Sequence, residues 1–284
     1  LVERRLQPLR LAPEYEGYAR GNYAHDLLAG TLERLRERAG TARLDAESLA
    51  TALACLEEVA GELARSPGLG PTRSAANGAA RRVEADVRRL LQREAAAGGA
   101  LVPQHFELKF GFEDDDEESL PPLELTELDP PLRLRGRIDR VDVDEQSHVA
   151  MVRDYKVGQA SAAYRGDNWE NERQLQVALY LLAVESLLGL RGVAGVYQPL
   201  RARGSDQRAR GLLREDAPEL VPLLEGKVVC EDDAADDFDA RLAAARARAA
   251  ELVRRLRAGD VRPCPATCTR EGGCAHPGVC RSLP

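Results

Sequence analysis

The chain has 284 residues, 44% of them hydrophobic and 31% charged, with 40 basic against 47 acidic side chains and a formal net charge of -7. That is enough chain to bury one large core or two ordinary ones, and it is too apolar for a disordered polymer. The longest uninterrupted apolar stretch, Val177 to Val184, falls far short of the roughly 18 residues of a membrane span. The start from Leu1 to Leu11 is studded with Arg and does not read as a signal peptide. The expected setting is cytoplasmic, with no membrane partner. The chain opens at Leu1 and its sole Met is Met151, so a piece of a longer polypeptide is expected.

The acidic total argues against a nucleic-acid partner only until its distribution is examined. Two blocks, Glu113 to Glu118 and Glu231, Asp232, Asp233, Asp236 and Asp237, hold 11 of the acids, and without them 36 acidic face 40 basic residues. Such blocks belong to solvated loops. Of the basic residues 37 are Arg, and only Lys109, Lys156 and Lys227 are Lys.

In chain order, Asn22 to about Ala39 predicts a helix with Leu27, Leu28, Leu32 and Leu35 on one face. A second helix is expected from Asp45, as N-cap, to about Arg65, and a third from about Ala76 to Ala96 with Val83, Val87, Leu90 and Leu91 as its stripe. The period then changes to two. Phe106 to Phe112 reads as a strand, Leu132 to Val143 as one longer strand, and His148 to Val157 as its return after a turn at Asp144 to Ser147. A helix from about Glu172 to Leu188, a strand near Val193 to Leu200 and a helix over Asp236 to Arg257 follow. The order predicts an α/β core between helical flanks: residues 1–100 helical, 101–205 the core, 206–284 a helix and a Cys-rich segment.

The chemistry concentrates in the hairpin, with Gly136 to Asp142 (GRIDRVD) on one strand and Asp154 to Lys156 (DYK) on the other. Asp154 and Lys156 project from one face of their strand, about 7 Å apart, and Tyr155 points the other way and leaves its carbonyl near them. Asp139 can come beside Asp154 across the hairpin. Two carboxylates and a carbonyl oxygen suit a hard divalent ion such as Mg²⁺ or Mn²⁺, and an adjacent ammonium suits phosphodiester hydrolysis. By spacing alone, Asp-x-Lys is also an ordinary pair of surface charges on a polar strand. The apolar neighbours Met151, Val152 and Val157, a Lys where most basic positions are Arg, and Gly136 just before Asp139 favour the site.

The ordered set Gly-x-Ile-Asp-Arg-x-Asp, Asp-Tyr-Lys-x-Gly at 154–158 and Gln-x-x-x-Tyr at 176–180 resembles the RecB-type branch of the PD-(D/E)XK nucleases, from Gly21 to Arg281. That resemblance implies a restriction-endonuclease-like fold: a mixed central sheet flanked by helices, with an N-terminal helical region and a C-terminal metal-binding segment. It implies Asp139 and Asp154 as metal-binding carboxylates, the Tyr155 carbonyl as a further ligand, and Lys156 as the catalytic lysine. Gly21-Asn22-Tyr23-Ala24-His25 resembles the family's Gly-x-x-x-His, which makes His25 a metal ligand rather than a helix-surface residue. Gln176 and Tyr180 would face the site one helical turn apart, and Glu107 resembles a family glutamate ahead of the hairpin.

Four of the six Cys form Cys264-x3-Cys268-x5-Cys274-x5-Cys280, while Cys55 and Cys230 stand apart as a buried helix residue and a strand-end residue. Soft thiolates at this density hold Zn²⁺ or an iron–sulfur cluster, with His276 as a spare ligand. Several RecB-like nucleases carry a [4Fe-4S] cluster built from one upstream Cys and, usually, a C-x2-C-x5-C ending. Only Cys274-x5-Cys280 keeps that spacing, so four local thiols or a partner Cys upstream are both open. The expected function is a metal-dependent deoxyribonuclease working on DNA ends beside a helicase domain or subunit. A catalytically inactive nuclease-like scaffold, or a metal-stapled helical interaction module, is the alternative.

Overall fold

The computed structural model describes residues 15–63, 69–70, 72–112, 119–157, 174–200, 209–214, 217–220 and 236–260. Three helices come first: α1 (Tyr15–Ala39), α2 (Leu49–Leu63) and α3 (Arg73–Ala97). The leucine stripe predicted for α1 is buried in full, with Leu27, Leu28, Leu32 and Leu35 all inside, each contributing about 1.5–3 kcal/mol by its burial. The helix starts seven residues earlier than its apolar pattern, at Tyr15 rather than Asn22. Asp45 caps a bonded turn by accepting the amides of Glu47 and Ser48, and the regular helix α2 begins only at Leu49. Thr72 caps α3 through the amide of Ala75, and the helix begins at Arg73, three residues ahead of the expected start near Ala76.

The strands are β1 (Val102–Phe110), β2 (Leu123–Leu125), β3 (Leu132–Leu134), β4 (Gly136–Asp144), β5 (Val149–Lys156), β6 (Arg191–Pro199) and β7 (Arg210–Leu213); α4 (Gln176–Leu188) lies between β5 and β6, and α5 (Ala217–Leu220) and α6 (Asp236–Arg257) follow β7. The single strand expected from Leu132 to Val143 is two. It breaks at Arg135, because β3 pairs with β2 in a separate two-stranded sheet while β4 joins the main one. The helix expected from Glu172 begins at Gln176, with residues 172–173 outside the described residues.

The main sheet runs β1-β4-β5-β6-β7 and is mixed: β5 and β6 are parallel, joined by the α4 crossover, and every other pair is antiparallel. Helices cover both faces. Val141, Val143, Ala150 and Val152 pack with α4, α6 and the β2–β3 sheet, while Phe106 and Tyr155 pack with α1, α2 and α3. A Cβ on Gly195 of β6 would sit 2.5 Å from Leu181 and 2.7 Å from Val177, so glycine there lets α4 lie directly on the sheet. The N-terminal end of α4 is thereby held at the mouth of the β4–β5 hairpin. Among the described residues no helix is long and apolar enough to cross a membrane.

Candidate active site

Along a regular strand Phe106, Leu108 and Phe110 would share one face. Phe106 instead packs with the N-terminal helices, whereas Leu108 and Phe110 join the opposite core. Between them Glu107 has a φ of 48°, a left-handed backbone uncommon for a side chain of its size, and the strand turns over there. The neighbouring strand does the same. Its register sets Arg140 beside Phe106 and Ile138 beside Leu108, so Asp139 stands level with Glu107. Ile138 belongs to the α4 side, while Arg140 reaches Glu94 of α3 on the other. Both carboxylates therefore leave the sheet where it crosses from one helical layer to the other.

The β4–β5 ladder ends at Arg140 opposite Arg153, and one step further the same register puts Asp139 level with Asp154. Glu107, Asp139 and Asp154 thus form a row across three adjacent strands. In place of the next ladder bond, Asp139 accepts the backbone amide of Tyr155 through Oδ2 at 2.7 Å. The strands open at this point and the carboxylate fills the gap.

His25 descends on the row from α1. Its Nδ1 lies 3.4 Å from Asp139 Oδ1 and 3.5 Å from Glu107 Oε1, and its Nε2 lies 3.3 Å from the carbonyl of Tyr155. All three partners are acceptors, so the doubly protonated ring satisfies every contact. Burial disfavours that charge, but the bonds and charges of Asp139 and Glu107 outweigh it and lift the His25 pKa to about 10. Asp154 is nearly inaccessible, with 1% of its side chain exposed. Burial first, then the charge of Asp139, pushes its pKa up to about 6 against the pull of Lys156. Lys156 pairs its ammonium with Asp154 Oδ2 and lies 5.3 Å from the ring of Tyr197.

From α4, the Gln176 amide donates to the Tyr180 hydroxyl at 3.1 Å, and the Tyr180 ring stands edge-on to Phe110. A Cβ on Gly136 would be 2.8 Å from Phe110 and 2.9 Å from Tyr180, so the glycine admits both rings beside β4. Burial raises the Tyr180 pKa, and both Asp139 and Asp154 add to it, which puts the phenol within reach of the carboxylate charge.

Glu107 was expected only through the family resemblance, and the buried network behind the hairpin escaped sequence reasoning. Glu107 takes a full place in the cluster and also accepts Arg137 Nε at 2.8 Å. Behind the hairpin, Arg140 and Arg153 are buried with Asp142, Glu94, Tyr155 and Gln198. Arg140 donates to Asp142, to Glu94 at 2.9 Å and to the Tyr155 hydroxyl at 3.1 Å, and Arg153 donates to Asp142 at 2.7 Å and Gln198 at 3.3 Å. Two guanidinium and two carboxylate charges balance, and the network holds the Tyr155 ring whose main chain serves Asp139 and His25. The signal was present as Arg140 and Asp142 alternating with Val141 and Val143.

His25, Glu107 and Asp139 offer ligand atoms within 4.8 Å of one another, and oxygen donors with one imidazole suit a divalent cation. Of the expected ligands, Asp154 stands beside this group with its carboxylate turned to Lys156, and the Tyr155 carbonyl faces His25. Cys264, Cys268, Cys274 and Cys280 lie outside the described residues, as does Cys230, while Cys55 is a buried residue of α2. The fold and this cluster define a metal-dependent nuclease. The chain belongs to the PD-(D/E)XK nuclease superfamily, whose family model matches residues 3–281. No curated protein matches the chain.

Proposed function

We propose that the protein is a Mg²⁺- or Mn²⁺-dependent deoxyribonuclease of the RecB-like branch. It would hydrolyse DNA from its ends as an exonuclease, in a helicase–nuclease or recombination-repair system. The carrying observation is the meeting of His25, Glu107 and Asp139 beside Asp154 and Lys156. Residues 1–100 supply His25, residues 101–205 the carboxylates and lysine, and residues 206–284 the sheet's edge strand β7 and the helix α6.

His25, Asp139, Asp154 and the Tyr155 carbonyl, joined by Glu107, would hold the cation. When bound it would polarise the scissile phosphate and acidify a water. The amide of Tyr155 keeps Asp139 oriented. Asp154 holds the Lys156 ammonium at the rim, where it can donate to a phosphate oxygen as negative charge develops. Gln176 and Tyr180, bonded to each other, close the other side and offer an amide and a phenol to the strand being cut. Residues of the matching type stand at 25, 139, 154 and 156, which supports an active enzyme over an inert scaffold.

The test is degradation of single-stranded and duplex DNA with Mn²⁺, against EDTA and Asp154→Ala. Metal-dependent degradation lost in the variant is expected, and equal activity in the variant sinks the reading. The four C-terminal Cys, four thiols within seventeen residues, are assigned to a [4Fe-4S] cluster, with Zn²⁺ as the alternative. Visible absorption of anaerobically purified protein marks the former, and colourless zinc-loaded protein the latter.

A further inference from the structure

Arg133, Arg135 and Arg137 alternate with Leu132, Leu134, Gly136 and Ile138 immediately ahead of Asp139. Leu132, Leu134 and Ile138 pack into the core, and the three arginines are exposed. Arg133 lies on β3, Arg135 at the break between the strands and Arg137 on β4, so three exposed guanidinium groups precede a buried carboxylate along the chain. They are held in different ways. Arg137 pairs with Glu107 at 2.8 Å, Arg135 lies over the Phe112 ring at 5.3 Å, and Arg133 faces Glu124 at 3.7 Å across the β2–β3 pair. Arg133 and Glu124 are both largely exposed, a pairing that contributes little on its own, and Arg137 keeps about half of its side chain exposed beside Glu107, so both guanidinium groups can turn to a phosphate.

Resting on the nuclease reading above, we propose that Arg133, Arg135 and Arg137, with Phe112, form the track along which one DNA strand reaches the metal site. Planar guanidinium groups bind phosphate bidentately, and Arg fits this task better than Lys. Phe112 is half-buried and offers part of its ring as a stacking surface for a base, which is available only when that base is unpaired. The net charge of -7, including the six acids that follow Phe112 in sequence, gives the chain no overall attraction for a polyanion. Affinity must therefore come from these positions themselves.

Two arms test this. Fluorescence anisotropy with oligo-dT in Ca²⁺ reads binding without cleavage, and hydrolysis of thymidine 5′-(p-nitrophenyl phosphate) with Mn²⁺ reads the metal site alone. Arg133→Ala/Arg135→Ala is expected to weaken oligo-dT binding about tenfold or more and to flatten the log–log salt slope by about 1.4, since each phosphate contact on a single strand contributes about 0.7. Its hydrolysis of the small diester stays within about twofold of wild type, and Arg135→Lys retains part of the affinity but not the stacking. Unchanged oligo-dT affinity in the double variant overturns the track, as does tighter binding of blunt duplex than of oligo-dT. Loss of small-diester hydrolysis in the double variant also overturns it, because the arginines would then act on the metal site. Wild-type protein without metal-dependent hydrolysis of the small diester overturns the nuclease reading instead, and the binding arm still decides the track.

Discussion

Asp154→Asn should stabilise the metal-free protein while abolishing its activity. Asn keeps the volume and shape of the side chain and removes a charge that burial and Asp139 both oppose. The Asp154 pKa stands at about 6 against an ordinary 3.8, a shift of about two units or on the order of 3 kcal/mol. A raised carboxylate pKa means that the folded state binds the proton more tightly than the unfolded chain. The penalty is absent below the unfolded value, where both states are protonated, and complete above about pH 6. The variant should therefore melt several degrees above wild type at pH 8 in EDTA, at about 2–4 °C per kcal/mol for a domain of this size. The gap should close as pH falls toward 4. Saturating Mn²⁺ should reverse the order, because only wild type gains binding free energy from the complete site. Far-UV circular dichroism melts at the two pH values measure this directly. A variant less stable than wild type at pH 8 in EDTA would refute the reasoning, since the Lys156 attraction would then outweigh burial and the repulsion of Asp139.

Further predictions concern the residues around that carboxylate. His25→Gln should weaken Mn²⁺ binding by about tenfold or more, as loss of a ligand or its support does, and calorimetry checks it. With the His25 pKa at about 10, cation binding at pH 8 should release about one proton from wild type and none from the variant. Calorimetry in buffers of different ionisation enthalpy reads that count, and equal release from both would sink the assignment. Arg140→Met leaves Glu94 and Asp142 short of a buried partner and should lower stability by about 3–5 kcal/mol in urea titrations. A loss below about 1 kcal/mol would show the network to be dispensable.

Residues close together in the chain were legible because strand alternation and the helical turn are local rules. Asp154 with Lys156, Gln176 with Tyr180, the leucine stripe of α1 and the span of α6 follow from spacing. The carboxylates and lysine could be picked out because charge inside apolar strands needs a reason. Tertiary structure decided the rest. His25 and Tyr155 are 130 positions apart, and no periodicity carries a contact of that range; only the packing of α1 against the sheet makes it. The break at Arg135 arises because β3 finds a partner in β2 and leaves the main sheet. Glu107 and Asp139 reach the gap between the two helical layers because both strands turn over at one level, which alternation excludes and a left-handed Glu107 permits. Arg140 and Arg153 look like solvent-facing charges from their composition. They are buried because α3 brings Glu94 over them and completes a neutral set, and the charge balance of that interior depends on which elements meet.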